Sequence, residues 1–229
     1  MHWRAVVQIL RYLCGTTNYG LLFNGASNSP TSPTVTSATS VSVPVPSVQG
    51  DAPNPNAVAG LVVYSDANWG SCKDTRRSTT GWIIKLGECW IDWNCRKQET
   101  VALSSCEAEY MAVCSAAQGA MWIRSLLMEI GYGPKSSSES PSASAPIPIF
   151  YCDNKSAISM ARNDVLHNRS KHIDIKHHFI RELIERKVFL IEWIGTAEQV
   201  ADVLTKTLLP RIFLKFRDLI VFPVQHKAI

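Results

Sequence analysis

Two stretches of low-complexity sequence set the limits on how this chain can fold. Residues 24–56 are built mainly from Ser, Thr, Pro, Val, Ala and Asn, and residues 135–148 have the same character. Such segments offer too few large apolar side chains to offset the entropy lost on ordering, so we expect two disordered insertions. They leave an N-terminal arm of residues 1–23, a body of residues 57–209 of ordinary single-domain size, and a C-terminal tail of residues 210–229.

The arm carries a helical pattern. Apolar residues recur at helical spacing from Trp3 to Leu13, and Gly15 follows as a stop signal. Arg4 and Arg11 lie on the opposite face. We therefore expect an amphipathic helix without a core of its own. The chain has no run of 18 apolar residues, so we predict no membrane partner.

The body alternates between the two-residue period of strands and the 3.6-residue period of helices. In chain order, the predicted elements are strands in GLVVYSDANW, GWIIKLG and CWIDWN, a helical pattern from Ser105 to Ile130, a strand in IPIFYC, helices over Asn154 to Ala161 and His172 to Arg186, a strand in VFLIEWI, and a closing helix in EQVADVLTKTL. The Ser105 to Ile130 pattern fits one helix or two broken near Gly119. This order predicts the α/β class, with a mixed five-stranded sheet flanked by helices and functional residues at the carboxyl ends of its parallel strands.

Composition narrows the function classes only slightly. With 46% hydrophobic and 18% charged residues, the chain is typical of a globular protein. The net charge of +4 allows a polyanionic partner without requiring one. No CxxC pair occurs, which argues against a disulfide framework and a cysteine-based zinc site and favours buried free thiols. The cysteines are Cys14, Cys72, Cys89, Cys95, Cys106, Cys114 and Cys152.

Four acidic residues fall where the predicted layout makes acids unusual. Asp66 follows the apolar run LVVY, and Asp153 ends IFYC. Glu109 lies early in the long helix, and Asp202 lies in the apolar half of the closing helix. Each alone is most simply a cap or a solvated residue. Converging carboxylates repel each other unless cations lie between them, and an all-oxygen cluster suits Mg²⁺ or Mn²⁺, so the four together indicate a two-metal phosphotransfer site.

Five ordered blocks carry a resemblance to a known family. They are YSDANWGSCKDTRRSTTGW, WIDWNCRKQETVALSSCEAEYMA, YCDNKSA, HNRSKHIDIKHHFIRE and QVADVLTK. Together they resemble the RNase H domain at the end of copia-type LTR retrotransposon Pol polyproteins. The segment HWRAVVQILRYLCGTTNYGLLF is similar to the part that joins reverse transcriptase to RNase H in those polyproteins.

The resemblance implies an RNase H-like fold and hydrolysis of the RNA strand of RNA–DNA hybrids with two Mg²⁺ ions, or Mn²⁺. It also implies that Asp66, Glu109, Asp153 and Asp202 are the catalytic, metal-binding quartet. Asp66 would contact both ions, Glu109 and Asp153 the ion near the leaving oxygen, and Asp202 the ion that activates water. Glu107 and Glu109 are about 200° apart on a helix, so only one can face the metals. The apolar YMAV after Glu109 favours Glu109 by resemblance, which makes Glu107 a solvated neighbour.

Basic and polar residues around these blocks are candidates for substrate binding. They are Arg76, Arg77, Ser104, Ser105, Asn154, Arg169, Lys171 and His172. Cations there could contact phosphates, whereas hydroxyls and amides could contact the 2′-OH that distinguishes RNA from DNA. A solvated basic face is the simpler alternative for the segment from His167 to His178, and its histidine spacing does not favour zinc. We expect Trp69, Trp82, Trp90, Trp93, Trp122 and Trp193 to belong to the core.

The sequence leaves three functions open. The first is a metal-dependent RNase H of a retrotransposon, which works on a hybrid and has the reverse transcriptase portion of the same polyprotein as a partner. The second is another RNase H-like nuclease, such as an integrase or exonuclease, which would cut DNA. The third is a catalytically silent remnant that acts as a nucleic-acid-binding or structural module. We expect an intracellular protein, in a cytoplasmic virus-like particle or in the nucleus.

Overall fold

The computed structural model describes residues 2–23, 60–132, 147–162 and 171–223, with backbone alone at residues 2, 171–175 and 177. Residues 24–56, nearly all of residues 135–148, His167 and Arg169 lie outside these ranges, and so do the side chains of Lys171 and His172. What the sequence predicts for them stays a prediction.

Thirteen helices and strands follow one another along the described residues. They are α1 (His2–Gly15), β1 (Tyr19–Gly20), β2 (Leu61–Asn68), β3 (Thr79–Leu86), β4 (Cys89–Lys97), α2 (Ser105–Glu129), β5 (Ile149–Cys152), α3 (Lys155–Arg162), α4 (Lys171–Glu185), β6 (Leu190–Trp193), α5 (Asp202–Thr205), α6 (Pro210–Ile220) and β7 (Phe222–Pro223). A 3-10 turn over Thr196–Glu198 lies between β6 and α5.

The main sheet has five strands in the order β4-β3-β2-β5-β6. The first three strands form an antiparallel meander, with Gly87 at φ 57° in the tight turn between β3 and β4. β2, β5 and β6 are parallel, and Tyr64 lies beside Tyr151 in the register. Their carboxyl ends therefore meet at one edge of the sheet. The predicted α/β architecture, with a mixed five-stranded sheet flanked by helices, is confirmed.

Successive side chains along each strand point to opposite faces of the sheet, and each face has its own hydrophobic core. Val63, Phe150 and Cys152 pack on the face that α2, α3 and α4 cover. Tyr64 and Tyr151 point to the other face, where α5 and α6 pack. Because β2 is the central strand, both of its faces are buried. An acid on β2 therefore lies in the interior, which makes Asp66 sensitive to its neighbours.

α2 is one uninterrupted helix, so the alternative of a break near Gly119 is wrong. A Cβ atom at position 119 would lie 2.8 Å from the ring of Trp82, so glycine here allows α2 to approach β3 closely. The helix begins after Ser104, whose Oγ accepts a hydrogen bond from the backbone N–H of Glu107 at 3.2 Å. This cap fixes where the first turn of α2 lies, and with it the direction of Glu109.

The C-terminal end differs from the predicted tail. Residues 210–220 form α6, with Pro210 in the first turn, and Phe216 is buried against the sheet. Trp90 donates a hydrogen bond from Nε1 to the carbonyl oxygen of Leu219 at 2.7 Å. β7 then pairs with β1. Apolar residues at helical spacing drive this packing, and the sequence interpretation overlooked them.

The closing helix is shorter than predicted. Only the 3-10 turn and the four residues of α5 are helical, and the backbone becomes extended at Lys206. A Cβ atom at Gly81 would lie 2.5 Å from Cγ2 of Thr205, so the glycine lets α5 sit directly on β3. This contact places Asp202 over the carboxyl end of the sheet.

Two expectations about burial are only partly right. Trp82 and Trp90 belong to the core, whereas Trp69, Trp93, Trp122 and Trp193 are at least half exposed. All seven cysteines are free, but only Cys114 and Cys152 are buried. The indole N–H groups of the exposed Trp69 and Trp193 each donate to a backbone carbonyl, at 3.0 Å to Ala102 and at 3.2 Å to Asp153.

Candidate metal-binding site

The four acids predicted as a quartet come together at the carboxyl edge of the parallel strands. Asp66 lies near the end of β2, Asp153 follows β5, Glu109 lies in the second turn of α2, and Asp202 begins α5. Carboxylate oxygens of Asp66, Asp153 and Asp202 lie within 4.8 Å of one another. Asp153 also lies within 4.8 Å of a second group that contains Glu109 and the thiol of Cys152. The cluster thus has two sides that share Asp153.

The first side, which we call the lysine side, consists of Asp66, Asp202, Thr205 and Lys206, together with the shared Asp153. The ammonium group of Lys206 lies 2.9 Å from Oδ1 of Asp66 and 2.8 Å from Oδ1 of Asp202. The hydroxyl of Thr205 donates to Oδ2 of Asp66. Asp66 is completely buried and Asp202 is nearly so. Both acids are therefore compensated by a cation of the chain itself.

Burial still perturbs the lysine side. It raises the pKa of Asp202 to about 6, against the hydrogen bond from Lys206 that lowers it, and the charge of Asp66 adds to the rise. The two carboxylates raise the pKa of Lys206 despite its partial burial. The lysine therefore stays charged, and its ion pairs connect β2 to α5.

The second side, which we call the thiol side, consists of Glu109, Cys152 and Asp153. Burial raises the pKa of Glu109 to about 9, and the charges of Asp66 and Asp153 add to the rise. The backbone N–H of Ala67 donates to the Glu109 carboxyl group, but Oε2 of Glu109 is buried without a hydrogen-bond partner among the described residues. Burial also raises the pKa of the Cys152 thiol. At neutral pH, protons on Glu109 and Cys152 therefore reduce the negative charge of the thiol side. On the lysine side, the ammonium group of Lys206 does so instead.

Asp153 is held by the segment that follows β6. The hydroxyl of Thr196 donates to Oδ2 of Asp153 at 2.9 Å. The indole of Trp193 donates to the main-chain oxygen of the same residue. These two contacts fix both the backbone and the carboxylate of the residue that the two sides share.

The donor set fits hard divalent cations. Four carboxylates from four different elements converge, and one buried oxygen of Glu109 has no partner of its own. Oxygen ligands of this kind suit Mg²⁺ and Mn²⁺, which would also relieve the repulsion among the acids. The site is therefore able to hold such cations between its carboxylates.

Glu107 is not a solvated neighbour, which corrects the prediction. It is buried, and its carboxylate accepts a hydrogen bond from the backbone N–H of Leu103 at 2.9 Å. Together with the Ser104 cap it forms a variant of the capping box, in which the acid in the first helical turn accepts from the residue before the cap and not from the cap itself. Glu107 thus serves the start of α2, and Glu109 is the glutamate that faces the other acids.

Several predicted substrate-binding residues have structural roles in the described ranges. Ser104 caps α2, and Oδ1 of Asn154 accepts from the backbone N–H groups of Ser156 and Ala157, so it caps α3. Ser105 is exposed at the start of α2. The side-chain oxygens of Ser104 and Asn154 are thus occupied by helix caps. Both residues still lie at the edge of the sheet where the four acids converge.

Arg76 and Arg77 lie exposed in the loop between β2 and β3. Arg76 adopts φ 57°, a left-handed conformation that is uncommon for residues other than glycine. Its N–H donates to the carbonyl of Cys72 at 2.7 Å, and the N–H of Cys72 donates to the carbonyl of Arg77 at 3.1 Å. The loop is thus fixed by its own backbone, and both arginines are exposed on it.

Sequence reasoning missed the residues that compensate the acids. Lys206 lies four residues after Asp202, a spacing that brings side chains together on a helix and was available as a signal. Cys152 directly precedes Asp153 at the end of an apolar strand. Thr196 carries no comparable signal, because its contact depends on the fold of the loop after β6.

Comparisons with known proteins were consistent with the resemblance. The retrovirus-related Pol polyprotein from transposon RE1 of Arabidopsis thaliana is 34% identical over 215 residues, which are 94% of this chain and 12% of that polyprotein. The corresponding polyprotein from transposon TNT 1-94 of Nicotiana tabacum is 33% identical over 205 residues, 90% of this chain and 12% of that protein. The chain thus spans a small part of the length of these curated relatives. No protein-family model matches it.

Among solved structures, LC11-RNase H1, isolated from compost by a metagenomic approach, is similar with a TM-score of 0.46 and 13% identity. The similarity covers 64% of this chain and 93% of that chain.

Proposed function

We propose that this chain, which is similar to one segment of the retrovirus-related Pol polyproteins from plant transposons, is a metal-dependent ribonuclease H, which hydrolyses the RNA strand of RNA–DNA hybrids. The observation that carries the proposal is the convergence of Asp66, Glu109, Asp153 and Asp202 from four elements onto one edge of the sheet. Burying an acid without a compensating partner costs free energy. A bound metal ion would be a partner for the unpaired oxygen of Glu109.

The four carboxylates would bind two Mg²⁺ or Mn²⁺ ions. Asp66, central on β2, would contact both ions. Glu109 and Asp153 would hold one, and Asp202 the other. The chemistry that such a pair supplies when bound is a lowered pKa of water and stabilised charge on the attacking and leaving oxygens. A side-chain nucleophile is therefore not required for this reaction.

The chain's own residues would orient the substrate around this centre. Arg76 and Arg77 are exposed in the loop that follows β2, where they would contact phosphates. Ser105, at the exposed start of α2, would reach toward sugar hydroxyls, and Arg169, Lys171 and His172 would extend the basic surface. These contacts would position the hybrid, and the acids would act on the phosphodiester bond.

A second candidate function is a silent nucleic-acid-binding module. Lys206 favours it, because its ammonium group already neutralises Asp66 and Asp202 without a metal. Such a protein would bind hybrids through its basic loop and would not cleave them. The unpaired oxygen of Glu109 is the feature that this alternative leaves unexplained.

A cleavage assay separates the candidates. A hybrid with labelled RNA is incubated with the protein and Mg²⁺, alongside Asp66→Asn and the control Asp218→Asn, which changes an exposed acid on α6. We expect RNA-strand cleavage by the wild type and the control and none by Asp66→Asn. Binding without cleavage by a folded sample would favour the silent module. Cleavage of duplex DNA instead would favour an integrase-like or exonuclease-like activity.

Partners and location follow as further proposals. The relatives are polyproteins, so the reverse transcriptase portion of the same polyprotein is the proposed partner of the arm. A cytoplasmic virus-like particle or the nucleus is the proposed place of action. No helix in the described part of the chain is long and apolar enough to cross a membrane.

A further inference from the structure

A sulfur atom lies among the acids of the thiol side. The Sγ atom of Cys152 and carboxylate oxygens of Glu109 and Asp153 are mutually within 4.8 Å. Cys152 is fully buried, and its one described side-chain hydrogen bond is a weak one, 3.9 Å from the sulfur to the carbonyl of Asn154. The thiol therefore has freedom to take a different partner without losing a strong hydrogen bond.

A second observation points into the same space. Glu109 is more than nine-tenths buried, and its Oε2 atom has no hydrogen-bond partner among the described residues. Neither Glu109 nor Asp153 takes part in any of the ion pairs of the described ranges. Unlike the lysine side, the thiol side thus combines two acids and a thiol with no paired cation of the chain.

We propose that Glu109, Cys152 and Asp153 bind a thiophilic divalent cation, Zn²⁺, on the thiol side. Zinc accepts sulfur and oxygen ligands in tetrahedral geometry, whereas Mg²⁺ accepts oxygen and avoids sulfur. Zinc–ligand bonds of about 2.0 to 2.3 Å require the three atoms to move slightly closer together. Three protein ligands leave the fourth position to water.

Binding involves no oxidation. The S–H bond of Cys152 and the O–H bond of Glu109 break, zinc–sulfur and zinc–oxygen bonds form, and both protons pass to water. Since Glu109 and Asp153 are shared with the proposed magnesium site, zinc and magnesium would compete there. The same chain would therefore bind two classes of cation, which Cys152 distinguishes by its sulfur atom.

The experiment measures zinc affinity of the metal-free full chain by competition with a chromogenic chelator. Cys152→Ser removes the sulfur and keeps a similar shape, and the matched control Cys114→Ser changes the other buried cysteine. We expect Cys152→Ser to weaken the tightest zinc site by about tenfold or more, and Cys114→Ser to leave it unchanged. Equal zinc affinity in the wild type and a folded Cys152→Ser protein would overturn the proposal.

A second measurement needs no variant and decides the matter if Cys152→Ser fails to fold. The wild type is exposed to a thiol alkylating reagent with and without Zn²⁺, and modified peptides are quantified by mass spectrometry. Slower alkylation of Cys152 but not of Cys114 in zinc supports the site, and the same rate with and without zinc refutes it.

Neither readout depends on cleavage. A protein that binds zinc through Cys152 but never cuts a hybrid contradicts only the proposed function. A protein that cuts hybrids but has no Cys152-dependent zinc affinity contradicts only this inference.

Discussion

The lysine side and the thiol side are built from similar acids, yet they are compensated in different ways. On the lysine side, an ammonium group lies within 3 Å of two carboxylates and keeps them paired. On the thiol side, burial keeps a proton on Glu109 and leaves one of its oxygens unpaired. The difference shows that the free chain stabilises one side by itself, while the other side depends on an external cation or on protons.

The largest expected effect separates the two glutamates of α2. Glu109→Gln should lower kcat for hybrid cleavage by about a hundredfold or more, because it removes a metal ligand. Glu107→Gln should stay within a few-fold, since glutamine also serves in a capping box. Steady-state kinetics on both variants, with circular dichroism to confirm folding, make the comparison. A severe loss in Glu107→Gln alone would mean that α2 is rotated relative to this structure.

The second prediction breaks the compensation on the lysine side. Lys206→Met should lower the free energy of unfolding in metal-free buffer by about 3 kcal/mol, because it leaves two buried carboxylates without a cation. Mg²⁺ should recover more stability in this variant than in the wild type. Arg186→Met is the control, since it removes the exposed pair with Glu182 and should cost about 1 kcal/mol or less.

Thermal unfolding with and without Mg²⁺ measures both effects. If Lys206→Met were as stable as the wild type without metal, the ion pairs would contribute nothing and the contrast between the two sides would fail.

The main sheet was predictable because its signals are local. Apolar runs ending in polar residues identify β2 and β5, and the alternation in GWIIKLG and CWIDWN identifies the β3–β4 hairpin. Three of the four acids follow from strand ends and helix starts in the same way. Glu109 required the resemblance, since a helix pattern alone does not separate it from Glu107.

The remaining features depend on contacts between distant segments. The pairing of β1 with β7 joins the two ends of the described chain, and no local pattern of two residues predicts such a strand. Trp193 is half exposed, and its indole donates a hydrogen bond to the loop after β5, a contact between segments that lie 40 residues apart. An acid in the first helical turn is usually predicted to be exposed. Glu107 is buried instead, because its carboxylate accepts a hydrogen bond from the backbone before the helix. Tertiary contacts decided each of these features.

The third prediction uses pH to sharpen the contrast. Burial raises the pKa of Glu109 to about 9 in the folded protein, from an ordinary value of 4.5 that applies to the unfolded chain. The unfolded chain therefore releases this proton at lower pH than the folded chain. Between these values the unfolded state binds fewer protons, and stability must fall as pH rises. Asp202 adds to the fall below about pH 6.

We therefore expect the metal-free protein to lose about 4 kcal/mol of unfolding free energy from pH 5 to pH 8, because the proton on Glu109 contributes about 1.4 kcal/mol per pH unit. Chemical denaturation in chelator at a series of pH values measures this slope, and Glu109→Gln should flatten it. A slope that is unchanged in Glu109→Gln would show that the proton lies elsewhere.

The smallest expected effect concerns the residue that both sides share. Thr196 donates to Asp153, so Thr196→Val removes one hydrogen bond from a carboxylate without changing the shape of the side chain. One such bond in an exposed position contributes about 1 kcal/mol, which corresponds to about a fivefold weaker apparent affinity for Mg²⁺ in the cleavage assay. Thr196→Ser keeps the hydroxyl and should restore the wild-type value, which a purely steric role would not predict. Because Asp153 belongs to both sides, Thr196→Val should also weaken zinc binding by a similar factor. A loss of magnesium affinity without any loss of zinc affinity would mean that Thr196 serves the lysine side alone, and that Asp153 does not couple the two sides.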